Sequence, residues 1–184
     1  MLTRYLQPLL FAALLLFPHC GTKERTEQGA PSSGNIAEVT TVERRQDKAP
    51  NFSWKDASGK TVDFDSYRGD VTLVNFWATW CGPCLKELPD LIALQKELGP
   101  RNVKILGIST DRGSDVIEEV HTFVKNRGIT YQVVISSSEL EEAFGTIRAI
   151  PASFLIDKNG TITQKIIGIR NREFFSSAIL ALLK

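Results

Sequence analysis

From Ala49 to the end of the chain, short apolar runs alternate with stretches in which apolar residues recur every third or fourth position. Val71-Thr72-Leu73-Val74-Asn75-Phe76 is the kind of run that a strand buried on both faces requires. In the pattern that follows, Cys84, Leu88, Leu91, Leu94 and Leu98 come at steps of three or four, so they share one helical face. This predicts a helix over 82–98, ending at Gly99-Pro100, with Pro89 as a kink after about two turns. Upstream, Phe52-Ser53-Trp54 and Thr61-Val62-Asp63-Phe64 flank the turn residues Asp56 to Lys60 and read as a hairpin. Tyr67 to Asp70 reads as a further turn. Downstream come a strand at Val103–Ser109, a helix at Ser114–Asn126 and a strand at Tyr131–Ile135. Ser114 is the expected N-cap of that helix and Gly128 its stop. A short helix near Ser138–Phe144 precedes Ala149-Ile150-Pro151-Ala152 and the strand Ser153–Ile156. Asp157-Lys158-Asn159-Gly160 turns that strand into its partner, Thr161–Ile169, and a helix over Arg172–Leu183 closes the chain. No segment repeats. The order predicts an α/β sandwich with a mixed central sheet flanked by helices, an N-terminal hairpin and a central α/β insertion.

The first twenty residues differ in kind. Arg4 is followed by an unbroken apolar run, Leu9 to Phe17, the length of a signal-peptide core and far short of the roughly 20 residues that span a bilayer. Cys20 comes next, then a polar stretch to Lys48 that reads as a flexible tether, leaving residues 49–184 as the folded domain. That domain carries 16 Lys and Arg against 16 Asp and Glu, so it lacks the basic surface that a nucleic-acid partner needs. Of three cysteines, two lie in the domain, and both belong to one Cys-x-x-Cys motif. They are placed for chemistry, not for stapling a scaffold.

Cys81 and Cys84 stand at the predicted start of the 82–98 helix, close enough to pair. There the unbonded N–H groups and the positive end of the helix dipole favour a thiolate on the first cysteine. Dithiol–disulfide exchange needs this arrangement: an exposed low-pKa attacker and a second thiol to resolve the mixed disulfide. A zinc site would need two more ligands, and only His19, His121 and Cys20 are available, two of them in the leader. No metal is expected, and no cofactor beyond a Cys81–Cys84 redox disulfide.

The layout of the leader resembles that of a bacterial lipoprotein, which would make Cys20 a lipidation site. Phe17, Pro18 and His19 depart from the usual cleavage box, so an uncleaved anchor or cleavage elsewhere stays open. Trp80-Cys81-Gly82-Pro83-Cys84 resembles the thioredoxin motif, and Ile150-Pro151 resembles that superfamily's cis-proline loop. Asn75 to Cys81, Lys86-Glu87-Leu88-Pro89 and Phe154 to Gly160 narrow the likeness to the TlpA/ResA branch of exported thiol–disulfide oxidoreductases. The α/β unit over about 103–135 fits that branch.

The resemblance implies a thioredoxin-like fold in which Cys81 is the nucleophile and Cys84 the resolving thiol. It implies a cis Pro151, an Ile150 backbone that pairs with a client chain, and a Trp80 that shapes client contact. Glu87 falls where the branch carries an acid beside the disulfide, and one helical turn lets its carboxylate approach the thiols. Thioredoxin itself has a buried acid at the position of Asn75, which cannot ionise. Gly82-Pro83 between the cysteines points to a reductant, since thioredoxin, with the same pair, lies near about −270 mV. The expected clients are disulfide-bearing proteins, with apocytochrome c as the family's suggestion. The expected electron source is a membrane thiol donor of the DsbD/CcdA type, acting outside the cytoplasm. Three other functions fit the same fold, the first a disulfide-forming oxidase, against which Gly82-Pro83 between the cysteines weighs. Gly107-Ile108-Ser109-Thr110-Asp111 and the N-terminal hairpin resemble peroxiredoxins, yet that family's loop needs a proline, and a Thr or Ser three residues before the cysteine, whereas position 78 is Ala and no proline precedes Cys81 in that segment. A Sco-like copper-delivery module would use Cys-x-x-x-Cys and a distal histidine, whereas no histidine follows His121.

Overall fold

The computed structural model describes residues 36–184. The expected leader over 1–20, with Cys20, and the first part of the tether lie outside the described residues. The strands are β1 (Ile36–Glu43), β2 (Asn51–Lys55), β3 (Thr61–Asp63), β4 (Val71–Trp77), β5 (Val103–Ser109), β6 (Gln132–Ile135), β7 (Ala152–Asp157) and β8 (Ile162–Ile167). The helices are α1 (Phe64–Tyr67), α2 (Gly82–Leu98), α3 (Val116–Arg127), α4 (Ser138–Ala143) and α5 (Arg172–Leu182). One sheet runs β3-β2-β1-β6-β5-β4-β7-β8. Its middle, β1-β6-β5-β4, is parallel, and antiparallel pairs flank it on both sides.

β4 occupies an inner position, and every one of its residues is buried. Alternation along the strand sends Val71, Leu73 and Trp77 to one face, and Val74 and Phe76 to the other. The first face is covered by Leu88, Leu91, Leu94 and Leu98 of α2, Val120 and Val124 of α3, and Phe175 and Ile179 of α5. The second packs against Phe52, Trp54, Phe64 and Phe144, with the Phe52 and Phe64 rings stacked 4.6 Å apart. Asn75, by the same alternation, faces the α2 side. Gly107 of β5 is needed for close approach: a Cβ there would lie 3.0 Å from Trp77 Nε1 and 3.2 Å from Tyr131 Cε2.

Four expectations need correction. Residues 36–43, assigned to the tether, form β1, which pairs antiparallel with β2 and parallel with β6. Polar residues hide this strand in the sequence, and only Ile36 and Ala37 are buried in it. The N-cap of α3 is Asp115 rather than Ser114, and its side chain makes no capping bond. Phe64, expected to end a strand, instead opens the helical turn Phe64–Tyr67. Helix α2 runs without a break through Pro89. Asp157 builds the last hairpin as its residue type demands, its Oδ1 accepting from the N–H groups of Asn159 and Thr161 at 2.9 Å, with Gly160 at φ 83°.

Candidate active site: a dithiol at the head of a helix

β4 delivers the chain to the site. After Trp77 the segment Ala78–Cys81 turns, with Cys81 N–H donating to Ala78 O at 3.2 Å, and α2 begins at Gly82. Cys81 is the N-cap of α2: its Sγ accepts from Cys84 N–H at 3.2 Å, the place an Asp or Ser oxygen would fill in an ordinary helix. Pro83 lies in the first turn, where a missing N–H costs nothing. Cys81 and Cys84 are joined as a disulfide, with their Cα atoms 5.2 Å apart. In the dithiol the same amide and the helix dipole favour negative charge on Cys81.

Cys81 was expected to be exposed, but in the disulfide it is only 4% exposed. The cis Ile150–Pro151 segment covers it, with Ile150 O 3.8 Å from Sγ. A disulfide sulfur carries no hydrogen, so this is a packing contact in the oxidised chain. Trp80, at 71% exposure, is the exposed neighbour, while Trp77 is fully buried. The peptide beyond β8 closes the same corner, Gly168 N–H donating to Pro151 O at 2.8 Å.

Glu87 lies one turn beyond Cys84 and is buried at 1% exposure. Its Oε1 accepts from Arg170 N–H at 2.8 Å, and its Oε2 accepts from Asn75 Nδ2 at 3.1 Å. Burial pushes the Glu87 carboxyl up to about 7, against the opposing pull of these two hydrogen bonds and the Arg170 charge. Asn75 also donates to Ser153 Oγ at 2.9 Å, so one amide ties α2 to β4 and β7. Sequence alone marks Asn75 only for the acid it lacks and does not show it as Glu87's donor. The signal was present: a polar residue alternating with Leu73 and Trp77 in a buried strand must find a partner on the helix side. Arg170 reaches Glu87 through its backbone, which no residue pattern announces.

The structure thus brings Trp80, Cys81, Cys84, Ile150 and Pro151 to one corner, with Glu87 beneath it on α2. His121 stands apart on α3, 4.0 Å from Glu118. Among the described residues, no group of three or more His, Cys, Asp or Glu is placed to hold a metal ion. A redox disulfide heading the helix that follows an inner strand, under a cis-proline loop, defines a thioredoxin-like thiol–disulfide oxidoreductase. Comparison with known proteins agrees. The chain belongs to the AhpC/TSA family, whose model matches residues 46–165. It is similar to the thiol-disulfide oxidoreductase ResA of Bacillus thuringiensis subsp. konkukian, 33% identical over 90% of this chain and 91% of the relative. Among solved structures it resembles a thiol:disulfide interchange protein of the thioredoxin family from Chlorobium tepidum. That match has a TM-score of 0.67 at 34% identity and covers 77% of this chain and 99% of the other. StoA from Bacillus subtilis matches with a TM-score of 0.59 at 27% identity, over 72% and 98% of the two chains.

Proposed function

We propose that this chain is an exported, membrane-tethered reductant of disulfides in client proteins. The observation that carries the reading is the Cys81 sulfur, held at the head of α2 by Cys84 N–H and facing Ile150 O. In the dithiol, Cys81 thiolate attacks one sulfur of the client disulfide; a Cys81–client bond forms, and the other client sulfur leaves as a thiolate. Cys84 then attacks Cys81 Sγ, forming the Cys81–Cys84 disulfide and releasing the second client thiolate. Two electrons pass to the client. Glu87, near neutrality, takes the Cys84 proton as that thiol becomes a nucleophile. A membrane dithiol of the DsbD/CcdA type restores the starting state, and no cofactor beyond the disulfide takes part. Trp80 and the Ile150 backbone receive the client chain. Apocytochrome c before haem attachment is the client class that the family resemblance suggests, and lipidated Cys20 is the proposed anchor.

The test is the reduction potential of the Cys81–Cys84 couple in the Cys20→Ser chain, poised in glutathione and dithiothreitol buffers. A value at or below about −230 mV supports a reductant, and one near about −120 mV reverses the direction of electron flow. Rapid peroxide turnover, or stoichiometric Cu(I) binding by the dithiol, would move the reading to the peroxidase or copper-delivery alternative.

A further inference from the structure

The run Gly107-Ile108-Ser109-Thr110-Asp111 ends in a carboxylate that the exchange chemistry leaves unused. Asp111 follows β5 and is 6% exposed. Its Oδ2 accepts from Thr79 N–H at 3.0 Å and from the Ser109 hydroxyl at 2.7 Å; its Oδ1 accepts from the Thr79 hydroxyl at 2.6 Å. Ser109 Oγ accepts in return from Asp111 N–H at 3.1 Å. Thr110 N–H donates to Trp77 O at 2.8 Å, so the ends of β4 and β5 are laced together beside the grip on Thr79. Arg112 does not neutralise this carboxylate: it donates to the Asp111 carbonyl and pairs with Glu141. A buried carboxylate is costly to desolvate, and here hydrogen-bond donors hold it.

Thr79 is the second residue of the turn Ala78–Cys81. The third is Trp80, the exposed indole, and the fourth is Cys81, the cap of α2. Whatever fixes the Thr79 peptide therefore fixes where both of its neighbours point. We infer that Asp111 is a positioning residue of the exchange reaction: its grip on Thr79 holds the turn that presents Trp80 to a client and sets Cys81 at the head of α2. The inference rests on the reading of Cys81 as the thiol that attacks client disulfides.

The experiment is steady-state reduction of insulin disulfides by the Cys20→Ser chain and its Asp111→Ala, Asp111→Asn and Thr79→Val variants. In Asp111→Asn an amide oxygen in the place of Oδ1 can still accept from the Thr79 hydroxyl, 2.6 Å away, and from Thr79 N–H, 3.3 Å away, while the NH2 in the place of Oδ2 donates to Ser109 Oγ, so most of the grip survives without the charge. Asp111→Ala is expected to raise KM for insulin about tenfold, with kcat falling less than about threefold. Asp111→Asn should stay within about twofold of the parent, and Thr79→Val, losing one hydroxyl bond, should raise KM about threefold. A merely structural role would lower the active fraction and hence kcat, leaving KM in place. An unmoved KM in Asp111→Ala, or an Asn variant as impaired as the Ala variant, overturns the inference. If Asp111→Ala does not fold, Thr79→Val decides by the same measure: its threefold rise supports the inference, and an unchanged KM overturns it. A parent chain that does not reduce insulin sinks the functional reading itself; an active parent with indifferent variants sinks only the role of Asp111.

Discussion

A carboxyl buried as Glu87 is keeps its proton to higher pH in the folded chain than in the unfolded one, and the sign of that difference fixes two pH dependences. Below about pH 4.5 the group is protonated in both states. As pH rises toward 7 the unfolded chain releases the proton while the folded chain retains it, so stability falls through that window and levels off above it. For a displacement of this size the loss is about 3 kcal/mol, and Glu87→Gln should lack it. Urea melts of the oxidised Cys20→Ser chain, whose two cysteines are joined and do not titrate, at pH 5 and pH 8 check this; the same dependence of stability on pH in parent and Glu87→Gln would refute it. In the exchange reaction, Glu87→Gln should slow insulin reduction by at least about tenfold and erase an inflection near pH 7. Asn75→Leu removes a bond that favours the ionised carboxylate, so the inflection should move to higher pH, read from the same pH–rate profile. The helix that carries Cys84 and Glu87, with Cys81 at its head, was legible in advance from the pattern and the resemblance, whereas the burial of Cys81 was not. Asn75 and Ser153 were not read as Glu87's supports, because a hydrogen bond from strand to helix depends on which faces meet.

At the level of elements, β4 and β5 were readable as continuous apolar runs and α2 by the three-to-four-residue spacing of its buried side chains. β1 was not, because its order comes from neighbours distant in sequence: Val39 to Glu43 pair with β2, and Ile36 to Glu38 with β6. It is the strand that joins the β2–β3 hairpin to the rest of the sheet. A chain beginning at residue 45 would expose the facing edges of β2 and β6 and lose the burial of Ile36 and Ala37. Compared with a chain beginning at residue 31, it should be about 2–4 kcal/mol less stable, measured by urea midpoint at constant slope. Equal midpoints would mean that β1 contributes only coverage. The displaced cap of α3 has a similar origin: Ser114 has the right chemistry, but the helix starts two residues later, at Val116.

For the molecule as a whole, three separate chain segments build the corner that holds the disulfide: the turn after β4, the cis-proline segment before β7, and the backbone after β8, which bonds Pro151 and Glu87. The class of fold was legible from the order of elements. The sheet order was not, since β1 and β6 become neighbours only through contacts that no local pattern encodes. The convergence predicts an asymmetric pair of cysteine variants. In the Cys20→Ser chain, Cys84→Ser mixed with oxidised insulin should accumulate a mixed disulfide through Cys81 that intact-mass spectrometry detects; Cys81→Ser should form little or none. Equal adducts on both variants would show that Cys84, despite its 2% exposure, is as open to attack as Cys81.

The burial of two of the three tryptophans has a practical consequence. Trp54 and Trp77 are closed to solvent, so a collisional quencher such as acrylamide will reach Trp80 almost alone. Because Trp80 directly precedes Cys81, the quenchable part of the emission is an optical signal located at the reacting bond. The unlabelled chain can therefore be titrated with candidate clients in a fluorimeter, and protection of that signal would rank them before any turnover is measured.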